Sequence, residues 1–336
     1  MKTFFIKSGN FLLKVTLLLL LSLSAINCSK DDDESEAPPQ TPATVKDVYT
    51  SGHIQVNNKL VATYWKNNVP TTVTDGTKDA SLVSIAVAGS DVYTCGGEGT
   101  GDQFIAKMWK NNVATNLSAN PSHAAKIIIV GNDIYVAGVE KINGFNKAVY
   151  WKNGGTPITL SSTNGHDSDA TSIEVVGTDI YVAGYDNGQP CYWKNNVKTT
   201  LASSGKIFSI QVVGSDVYCA GYIDTPAGYW KNSTFHQLGT LDGYANTIQV
   251  VGADVYTAGS EKNVSGVEIP KFWKNGTATE LSTTGGVING MEVTGTDVYS
   301  CGRLSSSPFN SGYWKNTELN QAPAGSNVRA IFLTYN

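Results

Sequence analysis

Residues 171–201 read TSIEVVGTDIYVAGYDNGQPCYWKNNVKTTL, and this stretch contains one full structural unit. It opens on an apolar run, Ile173-Glu174-Val175-Val176, and turns at Gly177-Thr178. The phrase Asp179-Ile180-Tyr181-Val182-Ala183-Gly184 follows, then Tyr192-Trp193-Lys194-Asn195, and the unit closes on Leu201. β-Branched and aromatic residues dominate each segment and turn residues separate them, which is strand chemistry. No segment carries apolar residues at helical spacing over ten or more positions. Gly followed by a small residue suits a type II′ hairpin between the first and second strands. Asn-Asn or Asn-Gly suits a type I′ hairpin between the third and fourth, which needs positive φ at both positions.

The unit recurs along the chain. The seven tryptophans, Trp65, Trp109, Trp151, Trp193, Trp230, Trp273 and Trp314, each follow an aromatic residue or Met and precede Lys-Asn. Their spacings are 44, 42, 42, 37, 43 and 41 residues. A second phrase, Asp-Val/Ile-Tyr, begins at Asp47, Asp91, Asp133, Asp179, Asp216, Asp254 and Asp297, in step with the first. Seven four-stranded antiparallel meanders of this length match propeller blades. The first Asp-Val-Tyr phrase has no apolar strand before it, and Arg329-Ala330-Ile331-Phe332-Leu333-Thr334 is a first strand with no blade after it. The expectation is an all-β, seven-bladed propeller over residues 47–336, closed by the C-terminal strand pairing into the N-terminal blade.

Residues 1–27 read as an export signal. Lys2, Lys7 and Lys14 precede a short apolar run from Val15 to Ile26, which ends at Cys28. Small residues and then Cys resemble a bacterial lipobox, with departures at Asn27 and Ala25, where Gly/Ala/Ser and Leu are usual. The expectation is lipidation of Cys28; the alternative is a soluble secreted protein cleaved nearby. Residues 28–46 comprise that Cys and an acidic, Pro-containing tether that cannot bury enough surface to fold. A coil of its length spans roughly 23 Å.

The chain resembles the broad group of seven-bladed propellers that includes kelch and WD40 proteins, although the specific signatures of those two are absent. Its Tyr-Trp-Lys-Asn phrasing, together with Ser29-Lys30-Asp31-Asp32-Asp33 after the Cys, resembles surface lipoproteins of the Bacteroidetes. That resemblance implies a lipid anchor in the outer membrane, facing the cell exterior. It implies no activity.

A residue repeated in every blade is scaffold before it is site. The tryptophans are expected between blades, where a large ring removes much apolar area from water. The repeated Asp and the Lys after each Trp sit at one end of adjacent strands and are expected to pair, each exposed pair contributing little. Cys95 and Cys301 occupy an Ala slot, and Cys191 and Cys219 lie in neighbouring blades, so a disulfide is left open. Net charge is −4 and the mature region has no basic stretch, which speaks against a nucleic-acid partner. No metal or cofactor motif is present, no catalytic set can be assembled from spacing, and a monomer is expected.

Function is expected on the loops opposite the short hairpins, because these vary in length and composition. There His166, Tyr185, Asp186, Tyr222 and Asp224 place aromatics beside carboxylates on adjacent blades, a pairing that suits a glycan. A glycan- or protein-binding surface module is the first reading. A propeller enzyme acting on polysaccharide is the second, and would show unrepeated charged residues converging on the channel. A structural part of an envelope complex is the third.

Overall fold

The computed structural model describes residues 44–161, 165–305 and 310–336. The expected export signal, Cys28 and the expected tether as far as residue 43 lie outside the described residues. Among these residues every regular element is a strand, and the strands group into seven antiparallel meanders of four. Blade 4 is typical: Ser168–Val176, Asp179–Asp186, Gln189–Lys194 and Val197–Thr200 pair in that order. Blades 5 and 6 share the long strand Thr234–Val251, which pairs at its start with Pro226–Lys231 and at its end with Asp254–Lys262.

Blade 1 is assembled from both chain ends. Val45–Val56, Lys59–Lys66 and Val69–Thr72 form three strands, and Ser326–Tyr335 supplies the innermost. Leu333, Phe332 and Ile331 face Val48, Tyr49 and Thr50 across the ladder. Pairing of Val45 with Tyr335 starts the domain two residues earlier than the sequence boundary at Asp47, because the closing strand runs long enough to hold Val45.

The tryptophans are at most 2 % exposed. Trp193 of blade 4 shares an apolar cluster with Tyr135 and Ala137 of blade 3. Trp65 of blade 1 does so with Tyr299 and Cys301 of blade 7, across the closure. Polar side chains of the inner strands fasten blades 4, 5, 6 and 7 each to the next. Glu174, Gln211 and Gln249 accept the N–H of Val212, Val250 and Val293, one repeat onward, at 2.8, 2.5 and 2.6 Å. Asn246 and Asn289 donate to the carbonyls of Ile288 and Val328 at 2.7 and 2.9 Å.

The hairpin face repeats one arrangement seven times. Each repeated Lys lies 2.7–2.9 Å from the Asp of its own blade. Its ammonium also sits 5.2–5.6 Å from the centroid of the Tyr two residues after that Asp. The hairpin Asn donates to the same Asp at 2.7–3.1 Å. Its carbonyl oxygen accepts the backbone N–H that follows the Asp. Asn holds this place because its φ is near +50° at the first hairpin position, a conformation it tolerates better than other side chains.

The connections expected as variable loops are shorter than the sequence implies. Tyr185 and Asp186 lie inside the strand Asp179–Asp186, and Tyr222 ends the strand Asp216–Tyr222. The strands continue past the hydrophobic pattern because ladder hydrogen bonds carry them into two-residue turns, as at Asn187-Gly188. In blade 7, Ala322 takes the position that Leu281 fills in blade 6, while Leu319 pairs with Trp314.

Candidate ligand site on the loop face

A glycine follows the Asp-Val/Ile-Tyr phrase in all seven blades, at Gly52, Gly96, Gly138, Gly184, Gly221, Gly259 and Gly302. A Cβ at any of them would lie 1.8–2.1 Å from a carbonyl oxygen of the inner strand. That strand presses in because it carries one extra residue, a β-bulge beside each glycine. Bulges re-aim side chains. Here the seven bulged residues, Val83, Ala125, Thr171, Phe208, Asn246, Asn289 and Arg329, converge on the mouth of the central channel, around a cavity of about 470 Å3. The glycine repeats and the residue it frees does not.

Deeper in the channel stand Lys126, Glu174 and Glu292, from blades 3, 4 and 7. Burial pushes Glu174 up to about 7, against the opposing N–H of Val212 and the charge of Lys126. Burial does the same to Glu292, again up to about 7 and again opposed by Lys126. At the mouth, burial raises Asp169 to about 6, with Lys206 opposing. His53 falls to about 4 through burial and the positive charge of Arg329. Burial also lowers Arg329, assisted by Arg303.

A second depression, about 270 Å3, opens between blades 5 and 6 on the same face. Tyr222 and Tyr244 form its apolar walls, and Asp224, Asp242 and Glu268 line it with oxygen. Tyr244 donates to Glu268 at 3.2 Å, Lys262 lies 3.0 Å from Asp242, and Ser204 donates to Asp224 at 2.8 Å. Phe208 packs on Tyr222 and Tyr244, with centroids 6.0 and 6.3 Å away, and so joins this cleft to the channel mouth.

The five residues singled out by sequence fall into two groups. Tyr222 and Asp224 line the cleft. His166 and Asp186 touch each other at 2.7 Å, and Lys198 reaches the same carboxylate at 2.8 Å. Asp186 is buried; burial alone would raise it, but Lys198 and His166 hold it below the usual carboxylate range. Tyr185 lies between the groups, its ring centroid 5.5 Å from the ammonium of Lys206, whose backbone pairs with Tyr222.

Sequence reasoning missed Phe208, Tyr244, Asn246, Asn289 and Arg329. The signal for the bulged residues was present in the repeated strand glycine, since Gly inside a strand marks a bulge or a close backbone approach. The described cysteines Cys95, Cys191, Cys219 and Cys301 are buried free thiols, with Cys191 pushed up to about 12 by burial, Asp186 adding to the rise. Among the described residues no cluster of His, Cys, Asp and Glu is placed to hold a metal ion.

No protein-family model matches the sequence, and no curated protein does. Solved structures of similar fold include a chain of a nidogen/laminin complex, at 10% identity and TM-score 0.44, covering 86% of this chain and 98% of that one. Acylaminoacyl peptidase of Pyrococcus horikoshii is 11% identical at TM-score 0.51, over 84% of this chain and 51% of the peptidase. TolB of Acinetobacter baumannii is 9% identical at TM-score 0.48, over 88% of each chain. The chain thus spans about half the length of the peptidase, and the likeness is one of fold.

Proposed function

We propose that this protein is a surface-displayed glycan-binding module, exported by residues 1–27, anchored by a lipid on Cys28 and held clear of the bacterial outer membrane by its acidic tether. The observation that carries the reading is the cleft between blades 5 and 6. Tyr222 and Tyr244 offer ring faces for the apolar side of a sugar, and Asp224, Asp242 and Glu268 offer acceptors for its hydroxyls. Aromatic contacts of this kind are worth on the order of 1 kcal/mol each. The hairpin face supports no such reading, because its Asp, Lys, Tyr and Asn already satisfy one another. A glycan array probed with the full chain tests it. Binding is expected to weaken severalfold in Tyr222→Ala and in Tyr244→Ala. Hits on the array that neither substitution weakens would place the site elsewhere, and an array without hits would favour a protein ligand. The anchor is tested by Cys28→Ser, which is expected to move the protein from the membrane to the aqueous phase on detergent partitioning.

One observation supports the second reading, an enzyme acting on polysaccharide: Lys126, Glu174 and Glu292 are charges not shared by all seven blades, and they converge in the channel. Against it, Glu174 accepts the Val212 N–H at the same place where Gln211 and Gln249 accept theirs, so its position is shared with neutral fasteners. Release of reducing ends from any bound polysaccharide, abolished in Glu292→Gln, would favour the enzyme.

A further inference from the structure

Arg329 is the bulged residue of blade 1, and its guanidinium belongs to the mouth cavity of about 470 Å3. Among the described residues it has no hydrogen-bond or ion-pair partner. The charge that bears on it is positive, since Arg303 lowers its pKa and Arg329 in turn lowers that of His53, although the carboxyl of Asp169 also lines the cavity. The acids of the channel answer to other cations, Asp169 to Lys206 and both Glu174 and Glu292 to Lys126. The residue is exposed at the cavity, so its unpaired guanidinium stands open to an anionic ligand, and a carboxylate arriving there gives it a charge-assisted partner.

The groups around Arg329 narrow the ligand further. Asn246 and Asn289 give their amide N–H to the next blade, which turns their carbonyl oxygens into acceptors for hydroxyls. Phe208 adds an aromatic ring that abuts Tyr222, tilted by 40°, and Tyr244, nearly edge-on at 67°. We propose that the channel mouth binds the carboxylate of an acidic sugar, so that the glycan held on the loop face is a uronate-bearing one. The planar fork of Arg329 takes both carboxylate oxygens, the asparagines take hydroxyls, and Phe208 takes the apolar ring face. Of the carboxylates in the neighbouring cleft, Asp242 is neutralised by Lys262, whereas Glu268 and Asp224 keep their charge while they accept from the hydroxyls of Tyr244 and Ser204; those two line the cleft and not the mouth cavity that holds Arg329.

This inference rests on the glycan reading above, and its test separates the two. The full chain is titrated calorimetrically with tetrasaccharides of galacturonate, glucuronate and mannuronate, each as free acid and as full methyl ester, and with a sulfated galactan tetrasaccharide. At least one free acid is expected to bind about tenfold tighter than its own ester, which is roughly 1.4 kcal/mol. Arg329→Gln is expected to bring the acid down to the level of the ester, and Arg329→Lys to retain part of the difference; melting curves establish that both variants fold. Tyr222→Ala is expected to weaken acid and ester alike. Equal binding of acid and ester by the wild type, or a preference that survives Arg329→Gln, overturns the carboxylate site and leaves the glycan reading standing. Tighter binding of the sulfated saccharide than of any uronate overturns the choice of anion. Failure of every saccharide overturns both readings, and if Arg329→Gln does not fold, the wild-type comparison of acid and ester decides alone.

Discussion

The two ends of the channel are made from the same strands and obey opposite rules. On the hairpin face each blade repeats one set of four side chains, Asp, Tyr, Lys and Asn, and each set closes on itself. At the loop-face mouth each blade contributes one bulged residue, and among the seven are Phe, Arg, Asn, Thr, Ala and Val. The backbone device is constant at both ends; what differs is whether the side chain it presents is constant. Repetition therefore marks what holds the ring, and its absence at a repeated backbone position marks what the ring displays.

The comparison assumes a closed ring, and opening it is expected to give the largest effect. Deleting residues 328–336 removes most of the strand Ser326–Tyr335 and bares the edge of Val45–Val56. An exposed edge of that length invites aggregation. Loss of a cooperative thermal transition, with aggregation in light scattering, is expected; an unchanged melting curve would show that closure contributes nothing.

Glycine substitutions separate the two ends directly. In Gly184→Ala the new methyl meets the carbonyl oxygen of Asp169 at 1.8 Å, so the bulge must give way. Destabilisation of about 3 kcal/mol or more is expected by denaturant titration. Gly89→Ala, in a hairpin where nothing lies within 4 Å, is expected to cost about 1 kcal/mol for its φ of +60° alone. Equal costs would remove the bulge from the account.

A smaller, pH-dependent effect is expected inside the channel. Burial raises Glu292 from 4.5 to about 7, so the folded protein binds that proton more tightly than the unfolded chain. The resulting penalty is absent below about pH 4.5, grows as pH rises towards 7, and is complete above it. Glu292→Gln, which installs the residue that blades 5 and 6 carry at the matching position, is expected to stabilise the domain by about 1–3 kcal/mol at pH 8 and to be neutral at pH 4. Destabilisation at both pH values would mean that the ionised Glu292 and Lys126 hold the ring together.

Sequence made the scaffold readable because scaffold repeats. The hairpins were visible as Gly-X and Asn-Asn or Asn-Gly, and closure as a missing strand at one end and a spare one at the other. The start at Val45 was hidden because its partner Tyr335 lies past the apolar run of the closing strand. Much of the site was hidden for a different reason. A bulge adds a single residue to strands whose lengths already vary; the repeated glycine marks its place, but the bulged residues themselves, of six types in seven blades, leave no periodic trace. The ties that bury Asp186 were equally silent, since Lys198 reaches it from the outer strand of the same blade, twelve residues on.

The smallest perturbations bear on the central claim, that the loop face displays and the hairpin face supports. One measurement compares them: affinity of the full chain for its best array ligand, in Tyr222→Ala/Tyr244→Ala beside Lys152→Ala/Lys194→Ala. The loop-face pair removes both ring faces of the cleft and is expected to weaken binding by about tenfold or more, two contacts at roughly 1 kcal/mol each. The hairpin-face pair removes exposed ion pairs and is expected to leave affinity unchanged. Binding lost with the lysines and kept without the tyrosines would contradict the account.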